Sequence, residues 1–272
     1  MKIFIKLLIT LILLIGMVTL FFSKERVLSS FYVATLRREE CPQQGAEEYS
    51  HENSPFIINK IILYSSAYGT NKGSGQNQSS WLLDIYQYTD IAIFIDRNFS
   101  DLNEKNTIKK LYIENINFYN SSETGTPSLY YLDAKHFGNA DYLEDYKILD
   151  KLEFTVLNDS NENNSIQTNT PVLFSDLSNP ITLKYINNNI YNRGNYFEAP
   201  INTPIILDGT LIDIAKISVS SLETSFNFDI VLENNNNDTF RYKLNINIPL
   251  TNVYMGYDKE ILENLNYVFL KE

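Results

Sequence analysis

The amino-acid sequence predicts a mainly β fold: an antiparallel β-sandwich preceded by a single N-terminal transmembrane helix and a short helical stalk. Three observations lead to this prediction. One long apolar run opens the chain, alternating apolar and polar residues follow from Phe56 onward, and about ten short alternating segments are separated by polar loops. The corresponding domains are residues 1–22 as the anchor, 23–54 as stalk and linker, and 55–272 as the sandwich.

Residues 3–22 have the length and composition of a membrane-spanning helix. About 20 residues cross the hydrocarbon core, and fifteen Leu, Ile, Val and Phe side chains favour insertion by roughly −6 kcal/mol. Lys6 lies near one end of the run and can extend toward the interface. A cleaved signal peptide is the main alternative, but Ser23 and the charged residues Lys24, Glu25 and Arg26 follow where a small-residue cleavage site is expected. A buried core helix is a further alternative.

The residues around this segment predict its orientation and a stalk. Basic residues on its two sides are nearly balanced, and the short tail carrying Lys2 favours a cytoplasmic N-terminus and an extracytoplasmic domain. Helical spacing of apolar residues over residues 24–40 predicts a short stalk helix that ends near Pro42. Cys41 is the only cysteine, so the sequence provides neither an internal disulfide nor a cysteine-based metal cluster.

The charge distribution excludes one class of partner. The chain carries a net charge of −11, and because residues 1–41 contain six basic and three acidic side chains, the remainder carries −14. A domain this acidic is repelled by phosphate backbones and by anionic lipid headgroups. We therefore expect no binding of nucleic acid, and contact with the lipid bilayer only through residues 3–22.

The clearest strand prediction is a hairpin near the C-terminus. Apolar residues alternate with polar ones over residues 226–232 and 240–248, and the Asn- and Asp-rich segment 233–238 lies between them. Two alternating runs joined by such a turn are typical of antiparallel strands with one buried face. At roughly 1.5–3 kcal/mol for each buried apolar side chain, this hairpin would be a principal element of the core.

Further strands and one helix follow from the same periodicities. Residues 81–95 alternate, and we expect a break or a bend near residues 87–89 because an unbroken strand of this length is unusual. Asp208 and Gly209 indicate a turn. Apolar residues at helical spacing over residues 258–270 predict a C-terminal helix. The remaining strand predictions are residues 57–64, 111–118, 128–132, 152–157, 171–174, 181–186 and 204–219.

One face of the 81–95 segment carries the candidate ligand-binding residues. It combines carboxylates with aromatic rings, a combination that suits the binding of a sugar or a peptide. The candidates are Asp84, Tyr86, Tyr88, Asp90 and Phe94.

The sequence contains no assembled catalytic or metal-binding motif. Asp84, Asp90 and Asp96 share one strand face, but neighbours lie about 20 Å apart at about 3.3 Å per residue. Glycoside hydrolysis needs two carboxyls about 5–10 Å apart, so we expect these residues to form a solvated face. His51 and His136 are the only histidines, too few for a zinc site with a single cysteine. No cofactor is expected.

These observations predict a non-enzymatic, single-pass membrane-anchored envelope protein. Its extracytoplasmic sandwich would act as a structural or binding module whose partner is an envelope protein or polymer. Two alternatives remain open at this point. One is a carboxylate-based hydrolase acting on glycans, which requires two facing carboxylates in a concave pocket. The other is an extracytoplasmic sensor module that works through a partner.

Overall fold

The computed structural model describes residues 55–74, 80–97, 107–119, 123–158, 171–191, 196–200, 202 and 205–272, which are mainly β. The predicted fold class is therefore confirmed at the level of a β protein with two sheets. The predicted transmembrane segment 1–22 and stalk 23–54 lie outside the described residues. Among the residues described, no helix combines the length and apolar character that a membrane span requires.

Two six-stranded sheets contain the strands of the described residues. The strands are β1 Phe56–Ser74, β2 Ser80–Arg97, β3 Ile108–Tyr119, β4 Thr126–Tyr131, β5 Lys151–Leu157, β6 Val172–Phe174, β7 Ile181–Asn188, β8 Phe197–Pro200, β9 Ser225–Asn234, β10 Thr239–Asn247, β11 Asp258–Val268 and β12 Leu270–Lys271. Sheet A has the order β11-β1-β2-β7-β4, with β8 also paired to β2, and sheet B has the order β12-β10-β9-β3-β5-β6. Paired strands are antiparallel except β5 and β6, which are parallel.

The two sheets pack against each other around one continuous apolar core. Tyr185 of sheet A stacks on Phe226 of sheet B with ring centroids 5.7 Å apart. Phe56 of sheet A meets the ring of Phe240 of sheet B edge-on at 5.4 Å. Such aromatic pairs contribute specific contacts beyond the area that they bury. The fold is therefore sandwich-like, with one face of each sheet turned toward the shared core.

The C-terminal hairpin is confirmed by β9 and β10. Phe226 pairs with Ile246 and Phe228 pairs with Leu244, so the predicted apolar residues share the core face. The Asn-rich turn closes the hairpin through a hydrogen bond from the backbone N–H of Asp238 to the side chain of Asn234 at 2.9 Å. Alternation with period two was enough to predict this hairpin because both of its strands have one buried face.

The predicted strand at residues 204–219 is wrong. This segment forms a short helix, α1 Thr210–Ile214, preceded by the predicted turn at Asp208 and Gly209. The Asp208 carboxylate accepts hydrogen bonds from the backbone N–H and the hydroxyl of Thr210 at 2.9 and 2.6 Å. Leu211 and Ile212 then enter the core. One helical turn brings both side chains into the core, whereas a strand would direct adjacent residues to opposite faces.

The predicted helix at residues 258–270 is also wrong, because most of this segment is strand β11, paired with β1. Its register shifts where Ile58 pairs with Tyr267 but Lys60 pairs with Glu263. Asn264 and Asn266 lie within this irregularity and have φ values of 56° and 50°. A bulge of this kind interrupts the period of two, so the apolar residues take a spacing that resembles a helix.

Strand β2 has no break near residues 87–89, because it runs without interruption over Ser80–Arg97. Its partner strand changes instead. Residues 80–83 pair with β8, whereas residues 87–93 pair with β7. The long strand is stabilised because a succession of shorter strands pairs with one edge while β1 pairs with the other.

Candidate functional site

The strand face that carries the candidate ligand-binding residues is covered, contrary to the expectation of a solvated face. Residues 132–147, which we call the covering loop, pack on this outer face of sheet A. Asp90 is 0% exposed, and Tyr86 and Tyr88 are 7% and 4% exposed. The expectation failed because the alternation of β2 distinguishes two faces but does not reveal what packs on each of them.

Asp90 is paired with a lysine that the sequence analysis did not single out. Asp90 of β2 and Lys184 of β7 are directly opposite one another in the antiparallel ladder. The Lys184 ammonium donates a hydrogen bond to Asp90 Oδ1, and both side chains are fully buried. The same ammonium lies 4.3 Å from the centroid of the Tyr88 ring, within the range of a cation–π contact.

The backbone of the covering loop completes the surroundings of this pair. The N–H of Gly138 donates to Asp90 Oδ2 at 2.6 Å, and Lys184 donates to the carbonyl of Asn139 at 2.6 Å. Gly138 has a φ of 80°, which glycine adopts without the penalty of a side chain. The Tyr86 hydroxyl donates to the carbonyl of Ala140 at 2.9 Å. Three consecutive loop residues therefore hold three side chains of the sheet.

Burial dominates the electrostatics of the site. It raises the pKa of the Asp90 carboxyl to about 6, against the opposing effects of Lys184 and of the Gly138 N–H. It lowers the pKa of Lys184, although attraction to Asp90 acts in the other direction. Both shifts favour the neutral form of the group concerned. The free-energy difference between the ion pair and a neutral acid–amine pair is thereby reduced.

Asp84 and Phe94 lie at the margin of the covered face. Asp84 is partly exposed and forms an ion pair with Lys72 at 3.4 Å. Phe94 is half-buried, and the Lys60 ammonium lies 5.5 Å from its ring centroid. The candidate set is therefore split between a sealed centre and two margin positions, and its ligand-binding role stays a prediction.

Lys184 could have been noticed in the sequence, but its partner could not. It is the single charged residue in the otherwise apolar or uncharged run of residues 181–186, and an isolated lysine there implies a buried partner. The partner lies 94 positions away. Gly138 carried no recognisable sequence pattern, because its role depends on where the covering loop meets the sheet.

A second feature is a group of exposed apolar side chains on two adjacent segments. The N–H of Gly209 donates to the carbonyl of Gly256 at 2.8 Å and so joins the segments. We call the group the apolar patch; its residues are Ile206, Leu207, Tyr254, Met255 and Tyr257. Ile206 and Met255 are 63% and 70% exposed. The Tyr257 ring stacks on Tyr64 of sheet A, with centroids 5.2 Å apart.

The inner face of β2 carries a buried amide. Gln87 is 0% exposed, and neither polar atom of its side chain has a hydrogen-bond partner among the described residues. Two positions along the strand, the Thr89 hydroxyl is hydrogen-bonded to that of Ser65 at 2.7 Å. Gln87 therefore differs from its neighbour in bearing an uncompensated cost of burial.

The substitution Gln87→Met is expected to raise the free energy of unfolding by about 1–3 kcal/mol, because it removes buried polar atoms and keeps the side-chain length. Urea unfolding followed by fluorescence measures the effect. Thr89→Val is the contrasting variant, and it should lower stability because it leaves the Ser65 hydroxyl without that partner. A destabilised Gln87→Met variant would contradict this account.

No group of three or more His, Cys, Asp or Glu side chains suited to a metal ion occurs within the part of the chain that the structure describes. Comparison with known protein families, with characterised proteins and with solved structures finds no match for this chain.

Proposed function

We propose that this chain is a membrane-anchored envelope protein whose extracytoplasmic β-sandwich is a non-enzymatic binding module. Residues 3–22 would anchor it in the lipid bilayer, with the N-terminus in the cytoplasm. The binding surface would be the apolar patch, and its partner a protein of the envelope that presents apolar side chains. The margin residues Asp84 and Phe94 lie outside the patch and are not needed for this role.

The observation that carries the proposal is the apolar patch on a strongly acidic domain. The residues after position 41 carry a charge of −14, yet five large apolar side chains are exposed on two segments held together by a backbone hydrogen bond. Grouped exposed apolar residues are typical of interaction sites, whereas single ones are ordinary. The aromatic and Met side chains in the patch are types enriched at protein interfaces.

The anchor is tested with a reporter phosphatase fused after Glu272, which is active only outside the cytoplasm. We expect an active fusion in the membrane fraction of a bacterial host. Deletion of residues 3–22 should leave the fusion in the cytoplasm and inactive. An inactive reporter on the full chain would contradict the orientation, and a full chain recovered in the salt-washed soluble fraction would contradict the anchor.

The patch is tested by placing a photoreactive benzoylphenylalanine at Met255 in cells that produce the chain. Illumination should yield a discrete cross-linked product with a second protein. Leu149 is the matched control because it is 78% exposed and follows Ile148, which is hydrogen-bonded to the edge strand β4. The apolar patch adjoins β1 and β11 at the other end of the strand order of sheet A. Cross-linking of equal yield from both positions would mean that the patch has no partner of its own, and the binding role would be rejected.

A further inference from the structure

The structure assigns a covalent modification to the covered face of sheet A: we propose that Lys184 and Asp90 join through an intramolecular amide bond between Lys184 Nζ and Asp90 Cγ. This inference is independent of the apolar patch and of the anchor. It concerns the same two side chains described above as an ion pair, which is the state before the reaction. The bond would link the neighbouring strands β2 and β7.

The geometry already brings the reacting groups together. The two residues are directly opposite one another in the ladder, and Lys184 Nζ contacts the carboxyl oxygen Oδ1. The reaction between two groups held in such contact is effectively unimolecular, with effective molarities of about 10⁵–10⁸ M in well-oriented cases. Neither side chain must move far, because both are enclosed by the sheet, the Tyr88 ring and the covering loop.

The surroundings also make the neutral reactants more accessible than they are in water. Amine and carboxylic acid are normally ionised in water at neutral pH, and their ions do not condense. Both groups here are fully buried, and burial raises the pKa of Asp90 and lowers that of Lys184. A proton passing from the ammonium to Oδ1 produces the neutral acid and amine without any charge entering or leaving the site. Exclusion of bulk water further opposes the reverse hydrolysis.

The bond-forming step balances without any other reactant. The lone pair of Nζ attacks Cγ, and the charge that develops on Oδ2 is stabilised by the N–H of Gly138, which already donates to this oxygen at 2.6 Å. A proton then passes from the nitrogen to the hydroxyl at Oδ1. The C–Oδ1 bond breaks, one water leaves, and an amide remains with Oδ2 as its carbonyl oxygen.

The covering loop satisfies both polar groups of the product. The new amide has one N–H and one carbonyl oxygen. The carbonyl of Asn139, which accepts from Lys184 Nζ at 2.6 Å, is placed to accept from the amide N–H. The N–H of Gly138 continues to donate to the oxygen. A buried ion pair with several donors and acceptors is replaced by a neutral group whose two polar atoms are both hydrogen-bonded, which removes the cost of burying charge.

The test is mass spectrometry of the full chain, produced in a bacterium, purified in detergent, denatured and digested with trypsin. We expect a branched product that joins residues 73–97 to residues 152–193, uncleaved at Lys184, with a mass lower than the sum of its parts by one water. Fragmentation should place the branch at Asp90 and Lys184. Recovery of the two unlinked peptides, with cleavage after Lys184, would overturn the proposal, as would a loss of water that maps to any other pair of residues.

Two variants sharpen the result. Lys184→Arg keeps the positive charge but has no amine for this reaction, so the branched product should disappear. Asp90→Asn offers an amide in place of the acid, and the same condensation should then release ammonia, giving a branched product of the same mass as that of the original chain. A branched product that persists in Lys184→Arg would overturn the assignment of the bond.

Discussion

At pH 7, the variant Lys184→Met is expected to be less stable than the double variant Asp90→Asn/Lys184→Met by about 3–5 kcal/mol. Both variants lack the lysine, so neither can form the amide bond and the comparison isolates the buried carboxyl. In the single variant, Asp90 stays at a fully buried position without its cationic partner. Protonating a carboxyl with an unfolded pKa of about 3.9 at pH 7 costs about 4 kcal/mol.

Asn is the appropriate neutral replacement because it retains an oxygen that can accept from the N–H of Gly138. The carbonyl of Asn139 loses its lysine donor in both variants, so that cost cancels. Urea unfolding of the two proteins at pH 7 gives the difference directly. Equal stabilities would mean that water reaches Asp90, and the sealed site described here would be wrong.

The same pair of variants predicts a pH dependence with a definite sign. The folded-state pKa of Asp90 is raised by burial, and removing Lys184 takes away an opposing effect, so it rises further in Lys184→Met. A group with a raised folded-state pKa favours the folded state most below its unfolded pKa, and this advantage is lost as the pH rises. The deficit of Lys184→Met should therefore shrink as the pH falls from 7 and vanish below about 4.

Much of the sandwich could be predicted because its strands have one buried and one polar face. The alternation in residues 226–232 and 240–248 placed both strands of the hairpin and identified their core face. The pattern failed at β11, where Asn264 and Asn266 at positive φ shift the register and disturb the period. The pattern also failed at α1, because the apolar residues predicted to form a strand lie in a short helix that directs Leu211 and Ile212 into the core.

The candidate site illustrates a different limit of the sequence. The alternation in β2 placed Asp84, Tyr86, Tyr88 and Asp90 on one face, and they do lie on the face opposite the sandwich core. An alternation with period two does not show whether the second face of a strand is exposed to solvent, because that depends on the path of the covering loop. In the folded protein, the covering loop therefore encloses the ion pair of Asp90 and Lys184, and Tyr86 and Tyr88 pack beside it.

The substitution Gly209→Ala is expected to destabilise the protein by more than about 3 kcal/mol and to disrupt the apolar patch. A Cβ atom at this position would lie 2.1 Å from the carbonyl oxygen of Val253 and 2.6 Å from that of Gly256. Both obstacles are backbone atoms, so no side-chain rotation can relieve the contact. Overpacking costs about 1–3 kcal/mol, and the hydrogen bond from the Gly209 N–H to Gly256 would be lost in addition.

Gly69→Ala is the matched control for this prediction. Its Cβ would approach Leu211 Cδ1 at 3.1 Å, the end of a flexible side chain that can move by a few tenths of an ångström. Alanine also restricts the unfolded chain, so the net change should stay within about 1 kcal/mol. Urea midpoints of the two variants measure stability, and photo-cross-linking from position 255 measures the patch. If Gly209→Ala retained both wild-type stability and cross-linking, the close approach of the two patch segments would be refuted.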